Sequence, residues 1–209
     1  MKNAVIFIDG NNFYHNLRQM KIKPSSIDFE KLAGFICNHF SLSLLEVRYY
    51  NSMPTLRDGK EVYYSHLKFI DELRKIPKFV VKTRKLQVHS TKELIRDKME
   101  LIDSMDLCEK CKPIVEENIL DTIGNVKKKE KGIDVMLSVD FVDSAIKNKA
   151  DFLILLSGDS DFIPAMDLAK ENKGNVLSAS LAKGYSQELR EKFKFFVLGK
   201  NNLIENCFK

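Results

Sequence analysis

The sequence has few cysteines and no long apolar run, and these two absences exclude several classes of protein. Only four of its 209 residues are cysteine, which is too few for the disulfide framework of a secreted domain, so we expect reduced thiols. No apolar stretch reaches the length of a membrane span, and the first residues, MKNAVIFIDG, do not have the pattern of a signal peptide. We therefore expect a cytoplasmic protein.

The overall composition is that of a soluble globular domain with a slightly basic balance. Hydrophobic residues make up 44% of the chain and charged residues 30%. A chain of this length is typical of one well-buried domain, and we predict a single domain over residues 1–209. The net charge of +5 and the pI of about 8.9 are compatible with an anionic partner such as nucleic acid.

Strand-like and helix-like patterns alternate along most of the chain. Helical spacing separates the strand-like runs, which we place at 4–9, 44–52, 78–86, 152–157, 175–180 and 195–199. This alternation predicts an α/β fold with three layers, α/β/α, around a mainly parallel, Rossmann-like sheet. The first and fourth runs are almost wholly apolar and should be central, whereas the third alternates in charge and should lie at an edge.

One region, at about 87–131, interrupts this alternation and is rich in charge. We interpret it as an insertion with a helix near 91–106, followed by a loop or short hairpin. Cys108 and Cys111 within it have the spacing of half a zinc site. Cys37, Cys207 or a second subunit could complete such a site, but we favour two unreactive thiols in a loop.

Four aspartates follow or flank the predicted carboxyl ends of the central strands. Asp9 ends the first strand, Asp159 and Asp161 follow the fourth, and Asp134 starts the helix that feeds the fourth. If the chain reverses its direction of winding between these strands, all four lie in one crevice. Neighbouring carboxylates repel unless a cation lies between them, and oxygen ligands without histidine or cysteine favour Mg²⁺ or Mn²⁺.

Simpler interpretations exist for several of these residues. A single aspartate before a helix often caps it, and Asp159, Asp161 or Asp134 could act in this way. One of Asn11 and Asn12 should be the N-cap of the first helix. The other, for which we favour Asn12, could orient water or phosphate in the site.

Three blocks of the sequence resemble the signature blocks of the NYN family, the LabA-like branch of the PIN-domain nuclease superfamily. They are VIFIDGNNF, KGIDVMLSVDFV and LLSGDSDFIPAMDLAKENKGNVL. The resemblance implies a PIN-like fold, an acidic pocket that binds Mg²⁺ or Mn²⁺, and metal-dependent hydrolysis of RNA by an endoribonuclease. By position, the family's acidic residues correspond to Asp9, Asp134, Asp159 and Asp161, and its neighbouring polar residue corresponds to Asn12.

Basic and aromatic residues near the insertion are candidates for holding RNA, which we expect to be single-stranded. The densest basic runs are KTRK (82–85) and KKKEK (127–131). Lysines can follow a nucleic-acid backbone and tyrosines can stack on bases. The candidate substrate-binding residues are Asn11, Ser157, Lys85, Lys127, Lys128 and Lys131, and the candidate stacking residues are Tyr49, Tyr50, Tyr63 and Tyr64. A homodimer is compatible with the sequence.

Three other functions fit parts of the pattern. A non-catalytic or regulatory RNA-binding module could retain the same fold. Haloacid-dehalogenase phosphatases have a second aspartate two residues after the first, where this chain has Asn11. Toprim nucleases have a glutamate at the end of the first strand, where this chain has Asp9.

Overall fold

A computed structural model describes residues 1–56, 59–85, 91–123 and 132–209. The strands are β1 (Asn3–Asp9), β2 (Ser43–Met53), β3 (Phe79–Lys85), β4 (Phe152–Leu156), β5 (Val176–Leu181) and β6 (Lys194–Leu198). The helices are α1 (Gly10–Gln19), α2 (Phe29–His39), α3 (Lys60–Lys75), α4 (Thr91–Asp103), α5 (Cys111–Ile123), α6 (Ile133–Ile146), α7 (Ile163–Glu171), α8 (Gln187–Lys192) and α9 (Lys200–Cys207). All six predicted strands are confirmed, whereas α9 was not predicted.

The strands form one parallel sheet in the order β3-β2-β1-β4-β5-β6. The predicted central positions of β1 and β4 and the edge position of β3 are confirmed. The first three strands extend from β1 in one direction and the last three in the other, so the winding reverses between β1 and β4. In such sheets a crevice opens beyond the carboxyl ends of the two strands that flank the reversal.

Alternate residues of β1 contribute to two hydrophobic cores, one on each face of the sheet. Ile6 and Ile8 pack in the first core, and Val5 and Phe7 pack in the second. Because both faces are covered, the strand is apolar from Ala4 to Ile8, and each large side chain contributes roughly 1.5–3 kcal/mol by leaving water. The predicted three-layer α/β/α fold is confirmed: α1, α2, α3 and α9 cover the first core, and α6, α7 and α8 the second.

The chain divides into two compact units. The first contains Met1–Lys85 and Gly132–Lys209 and includes the whole sheet, and the second contains Leu86–Lys131. The predicted helix near 91–106 corresponds to α4, but the loop or hairpin predicted after it was wrong. Residues Cys111–Ile123 form α5, because a run such as PIVEENILDTI suits a helix better than a turn-rich hairpin.

Within the described ranges, no helix is both long enough and apolar enough to span a bilayer.

Candidate active site

Asp9 is the last residue of β1, its side chain is buried, and both of its carboxylate oxygens accept hydrogen bonds. Only 5% of the residue is exposed. One carboxylate oxygen, Oδ1, accepts a hydrogen bond of 3.1 Å from the backbone N–H of Asn12 and so caps α1. The other, Oδ2, accepts a 3.0 Å bond from the hydroxyl of Ser157 beyond β4. Asp9 therefore joins the two strands at the reversal point.

The prediction that Asn11 or Asn12 caps α1 was wrong, because the helix begins directly after the strand. Gly10 is its first residue, which places Asp9 at the cap position. A Cβ on Gly10 would lie 2.6 Å from the ring of Tyr49, so only glycine fits there. Burial and the negative charge of Asp9 together raise the pKa of the Tyr49 hydroxyl.

Ser157 links the carboxylate of Asp9 to the backbone of Asp159. Its residue is 1% exposed, and its hydroxyl donates to Asp9 while accepting a 3.2 Å bond from the backbone N–H of Asp159. The carboxylate of Asp159 accepts a 2.9 Å bond from the N–H of Asp161 and caps the short 3-10 turn at Ser160–Phe162. Asp159 is half-buried and Asp161 is exposed. Asp159 therefore has the capping role, and its position beside Ser157 places it next to Asp9.

Asn12 and Asn11 connect the β1–α1 turn to neighbouring strands. The side-chain oxygen of Asn12 accepts bonds from the N–H of Gly158 at 3.0 Å and from the amide of Asn16 at 2.8 Å. The amide of Asn11 donates a 3.0 Å bond to the hydroxyl of Ser52, near the end of β2. Both asparagines thus fix the walls of the crevice.

Asp134 lies in the first turn of α6 and is exposed. The preceding residue, Ile133, packs in the second core with Phe7 and Tyr50. Since α6 precedes β4 and runs back to the amino edge of the sheet, its first turn is at the carboxyl edge. The structure therefore places Asp134 at the predicted edge, where its negative charge also suits the helix N-terminus.

A second polar cluster, which the sequence did not reveal, lies on the α6 face next to Asp9. Pairing across the sheet places Asp9, Tyr50 and Lys82 in one row. The Tyr50 hydroxyl donates a 2.7 Å bond to the carboxylate of Asp140 in α6, and the Lys82 ammonium forms an ion pair with the same carboxylate. Burial alone would raise the pKa of Asp140, but the bonds from Lys82 and Tyr50 lower it below its ordinary value.

A buried arginine extends this cluster toward the amino edge of the sheet. Arg48 is 7% exposed, pairs with Glu46, and donates a 3.0 Å bond to the hydroxyl of Ser144. Its guanidinium also lies 5.3 Å from the ring centre of Phe7. The signals in the sequence were an arginine within the strand LLEVRYYNS and an aspartate within the apolar helix DVMLSVDFV, but neither identifies its partner.

The lysine side chains that were predicted to contact RNA lie outside the part of the chain that the structure describes, whereas a neighbouring arginine lies within it. Lys127, Lys128 and Lys131 lie outside the described residues, as does the side chain of Lys85, the last residue of β3. Arg84, which was not predicted, is exposed and pairs in register with Ser52. A Cβ on Gly132 would lie 2.4 Å from its Nη1, so the Arg84 guanidinium packs against the residue that precedes α6.

The predicted stacking tyrosines separate into buried and accessible pairs. Tyr49 and Tyr50 are 2% and 1% exposed, so the prediction that they stack on bases was wrong: both faces of β2 are covered by core. Tyr63 in α3 is half-buried, and Tyr64 is 61% exposed. Only these two remain candidates for contact with a base.

The donor atoms around Asp9 suit a hard divalent cation. Within the described ranges, no group of three or more His, Cys, Asp or Glu residues is arranged so that it could hold a metal ion. Mg²⁺, however, retains several waters and is commonly held by one or two carboxylates together with substrate phosphates. Asp9 and Asp159 offer only oxygen donors, and oxygen donors fit Mg²⁺ or Mn²⁺ better than zinc.

Comparison with known proteins identifies one family and one similar structure. The family model for the NYN domain matches residues 3–199. A crystal structure of a protein of unknown function from Vibrio parahaemolyticus is similar with a TM-score of 0.54 and 17% identity, over 95% of this chain and 93% of that chain. At this identity the likeness concerns the fold alone. No curated protein sequence gives a significant match.

Proposed function

The chain belongs to the NYN domain family, and from this premise we propose that it is a metal-dependent ribonuclease of the LabA-like branch that hydrolyses phosphodiester bonds in single-stranded RNA. The family lies within the PIN-like nuclease superfamily. The observation that carries the proposal is the position of Asp9, a buried carboxylate at the winding reversal that is joined through Ser157 to Asp159. Ligands of open parallel sheets bind at this point.

In this proposal the carboxylates have complementary roles. Asp9 and Asp159 would hold Mg²⁺ or Mn²⁺, and Asp134 and Asp161 at the same edge would add negative charge. The cation, when bound, stabilises the negative charge that develops on the phosphoryl oxygens. Ser157 keeps Asp9 and Asp159 in fixed positions, which reduces the rearrangement required when the cation enters.

The crevice walls and nearby basic residues would bind the substrate. Asn11 and Asn12 keep the β1–α1 turn aligned with Ser52 and Gly158. Arg84, exposed beside the first turn of α6, can contact a phosphate of the RNA strand. The lysines of the KKKEK run would add a salt-dependent attraction to the backbone.

The first prediction concerns Asp9→Asn, which keeps the size of the side chain and removes its charge. We expect turnover on saturating single-stranded RNA in Mn²⁺ to fall by roughly a hundredfold or more, because charge stabilisation at the phosphate is lost. Calorimetry should show weaker Mn²⁺ binding by the same variant. Asp71→Asn is the matched control, since Asp71 is an exposed residue of α3 that pairs only with Arg74 among the contacts seen.

Two results would count against the ribonuclease proposal. Full activity in Asp9→Asn would show that the carboxylate is not needed or that a contaminating nuclease is present. Equal Mn²⁺ affinity in the wild type and Asp9→Asn would remove Asp9 from the cation site.

A second candidate is a non-catalytic RNA-binding module with the same fold. It is favoured by the lack, in the part of the chain described, of three or more potential ligand residues grouped for a metal ion. Such a module would bind RNA equally well in EDTA and in Mn²⁺ and would cleave it in neither. The ribonuclease should instead cleave in Mn²⁺ and lose cleavage in EDTA.

A further inference from the structure

The second compact unit carries two exposed cysteines at the start of a helix. Cys108 follows α4, and Cys111 is the first residue of α5. The other two cysteines of the chain, Cys37 and Cys207, are 2% and 0% exposed and lie in the first core. The four thiols therefore divide into an exposed pair and a buried pair, which serves as an internal reference.

The backbone around Cys108 brings the exposed pair close together. The N–H groups of Cys111 and Lys112 both donate 3.0 Å bonds to the carbonyl oxygen of Cys108. A turn closed by such a bond keeps the Cα atoms of its first and fourth residues within about 7 Å. Disulfides usually span Cα separations of about 4.4–6.8 Å, so little backbone movement is needed to join the two sulphur atoms.

The two thiols already interact and differ in acidity. The thiol of Cys111 and the backbone N–H groups of Cys111 and Lys110 donate hydrogen bonds to the Cys108 sulphur and lower the pKa of that thiol. The pKa of Cys111 is raised because its proton is held in the bond to Cys108. Cys108 is thus suited to attack another sulphur, with Cys111 beside it.

The two buried cysteines lie in an apolar environment that makes their thiols less acidic. Burial raises the pKa of Cys37 and of Cys207 to about 11. At neutral pH only about one in ten thousand of such thiols is ionised, and the thiolate is the reactive form. Neither residue should compete with the exposed pair.

We propose that Cys108 and Cys111 form a redox-active dithiol site whose substrate is a low-molecular-weight disulfide. This activity goes beyond the nuclease function and uses none of the residues of the crevice. A Cys-x-x-Cys pair could also be half of a zinc site, but no third His, Cys, Asp or Glu within the described ranges is grouped with them for a metal ion. The dithiol reaction needs only the two sulphur atoms present.

The reaction proceeds in two exchanges. The Cys108 thiolate attacks one sulphur of R–S–S–R, so that its S–S bond breaks, a Cys108–SR mixed disulfide forms and RS⁻ leaves and takes up the proton lost by Cys108. The Cys111 sulphur, after losing its proton, then attacks the Cys108 sulphur, so that the Cys108–Cys111 bond forms and a second RSH leaves. Overall the two cysteines lose two electrons and two protons, and one disulfide becomes two thiols.

The test uses the full chain equilibrated in buffers of oxidised and reduced glutathione, then quenched in acid and alkylated for peptide mass mapping. We expect a disulfide between Cys108 and Cys111, with Cys37 and Cys207 recovered as free thiols. Cys111→Ser should accumulate a mixed disulfide with glutathione at Cys108, because the second exchange is blocked. Cys108→Ser should react with glutathione at least roughly tenfold more slowly at Cys111, because the backbone N–H groups that lower the pKa of Cys108 do not act on Cys111.

The control variants Cys37→Ala and Cys207→Ala should leave the Cys108–Cys111 equilibrium unchanged if they fold. Three results of the redox experiment would overturn the proposal. These are a pair that stays reduced in the most oxidising buffer, equal rates for Cys108→Ser and Cys111→Ser, or oxidation that yields only disulfides between two chains. Stoichiometric binding of Zn²⁺ that protects both thiols from oxidised glutathione would also overturn it and assign the pair to a metal.

Discussion

At the scale of single residues, the carboxylate of Asp140 shows how a charge is stabilised next to the crevice. It accepts bonds from Tyr50 and Lys82, both of which lie in the same row of the sheet as Asp9. The three groups form a compact network of one anion, one cation and one hydroxyl. Removing the Asp140 carboxylate takes this acceptor from both Tyr50 and Lys82 in a partly buried position, which costs free energy of folding.

The pH dependence of stability should therefore depend on Asp140. Its pKa is lowered in the folded state, so its stabilisation is present above the pKa of an unfolded aspartate, about 3.9, and is lost as the pH falls through the folded pKa. We expect Asp140→Asn to be less stable than the wild type in urea at pH 7, with a difference that shrinks as the pH falls below about 4. A difference that is constant or grows on acidification would show that the carboxylate's charge is not what stabilises the fold.

At the scale of elements, the crevice is shaped by close contact between the loops that follow β1, β4 and β5. A Cβ on Gly158 would lie 1.8 Å from the carbonyl oxygen of Gly184. Gly184 has φ of +72°, and a Cβ there would lie 2.3 Å from the side-chain oxygen of Asn16. The side-chain N–H of Asn16 in turn donates to the side-chain oxygen of Asn12. The loop after β5 thus packs against Asn16 of α1 and against Gly158 in the loop after β4. It keeps both sides of the crevice in place, although it contributes no carboxylate.

Gly158→Ala tests this packing. The added methyl group meets backbone atoms that cannot rotate away, so we expect a loss of about 1–3 kcal/mol in the free energy of unfolding and weaker Mn²⁺ binding. The matched control is Gly34→Ala in α2, where a Cβ would have no neighbour within 4 Å. That change should stabilise the protein by about 0.5–1 kcal/mol, because alanine suits a helix better than glycine. Equal effects of the two substitutions would contradict the packing argument.

At the scale of the whole molecule, a chain with a net charge of +5 concentrates carboxylates at one edge of its sheet. The winding reversal between β1 and β4 is what brings Asp9 and Asp159 together, since the residues are 150 positions apart in sequence but follow adjacent strands. Cation binding at this point should stabilise the native state and not the unfolded chain, in which the two carboxylates separate.

Mn²⁺ should therefore raise the melting temperature. At a concentration of about 100 times its dissociation constant, a ligand adds about 2.7 kcal/mol, which corresponds to roughly 5–11 °C for a chain of this size. Asp9→Asn should lose most of this shift, whereas Asp71→Asn should retain it. An equal shift in all three proteins would place the cation elsewhere. A separate variant, Asp159→Asn, tests the capping role: if it melts well below the wild type without metal, capping is the main role of Asp159.

Much of the fold was predictable because it depends on local pattern. The apolar runs of β1 and β4, the alternating β3 and the helical spacing between strands are properties of adjacent residues, and all six strands were predicted from them. The helix α5 was not, because its hydrophobic residues have little periodicity on one face. The helix α9 was missed because its sequence, KNNLIENC, is short and mostly polar and so carries a weak helical pattern.

The amino-acid sequence was enough to predict the strand pattern, the order of the acidic blocks and, through the winding rule, the edge at which Asp9, Asp134, Asp159 and Asp161 lie. The folded structure was needed to show that Asp9 caps α1, that Ser157 joins Asp9 to the backbone of Asp159, and that Asp140 accepts bonds from Tyr50 and Lys82. The two kinds of feature differ in how far apart in the sequence the interacting residues lie. Strand and helix patterns depend on neighbours a few residues apart, whereas these hydrogen bonds join groups up to 148 residues apart and exist only once the sheet has formed.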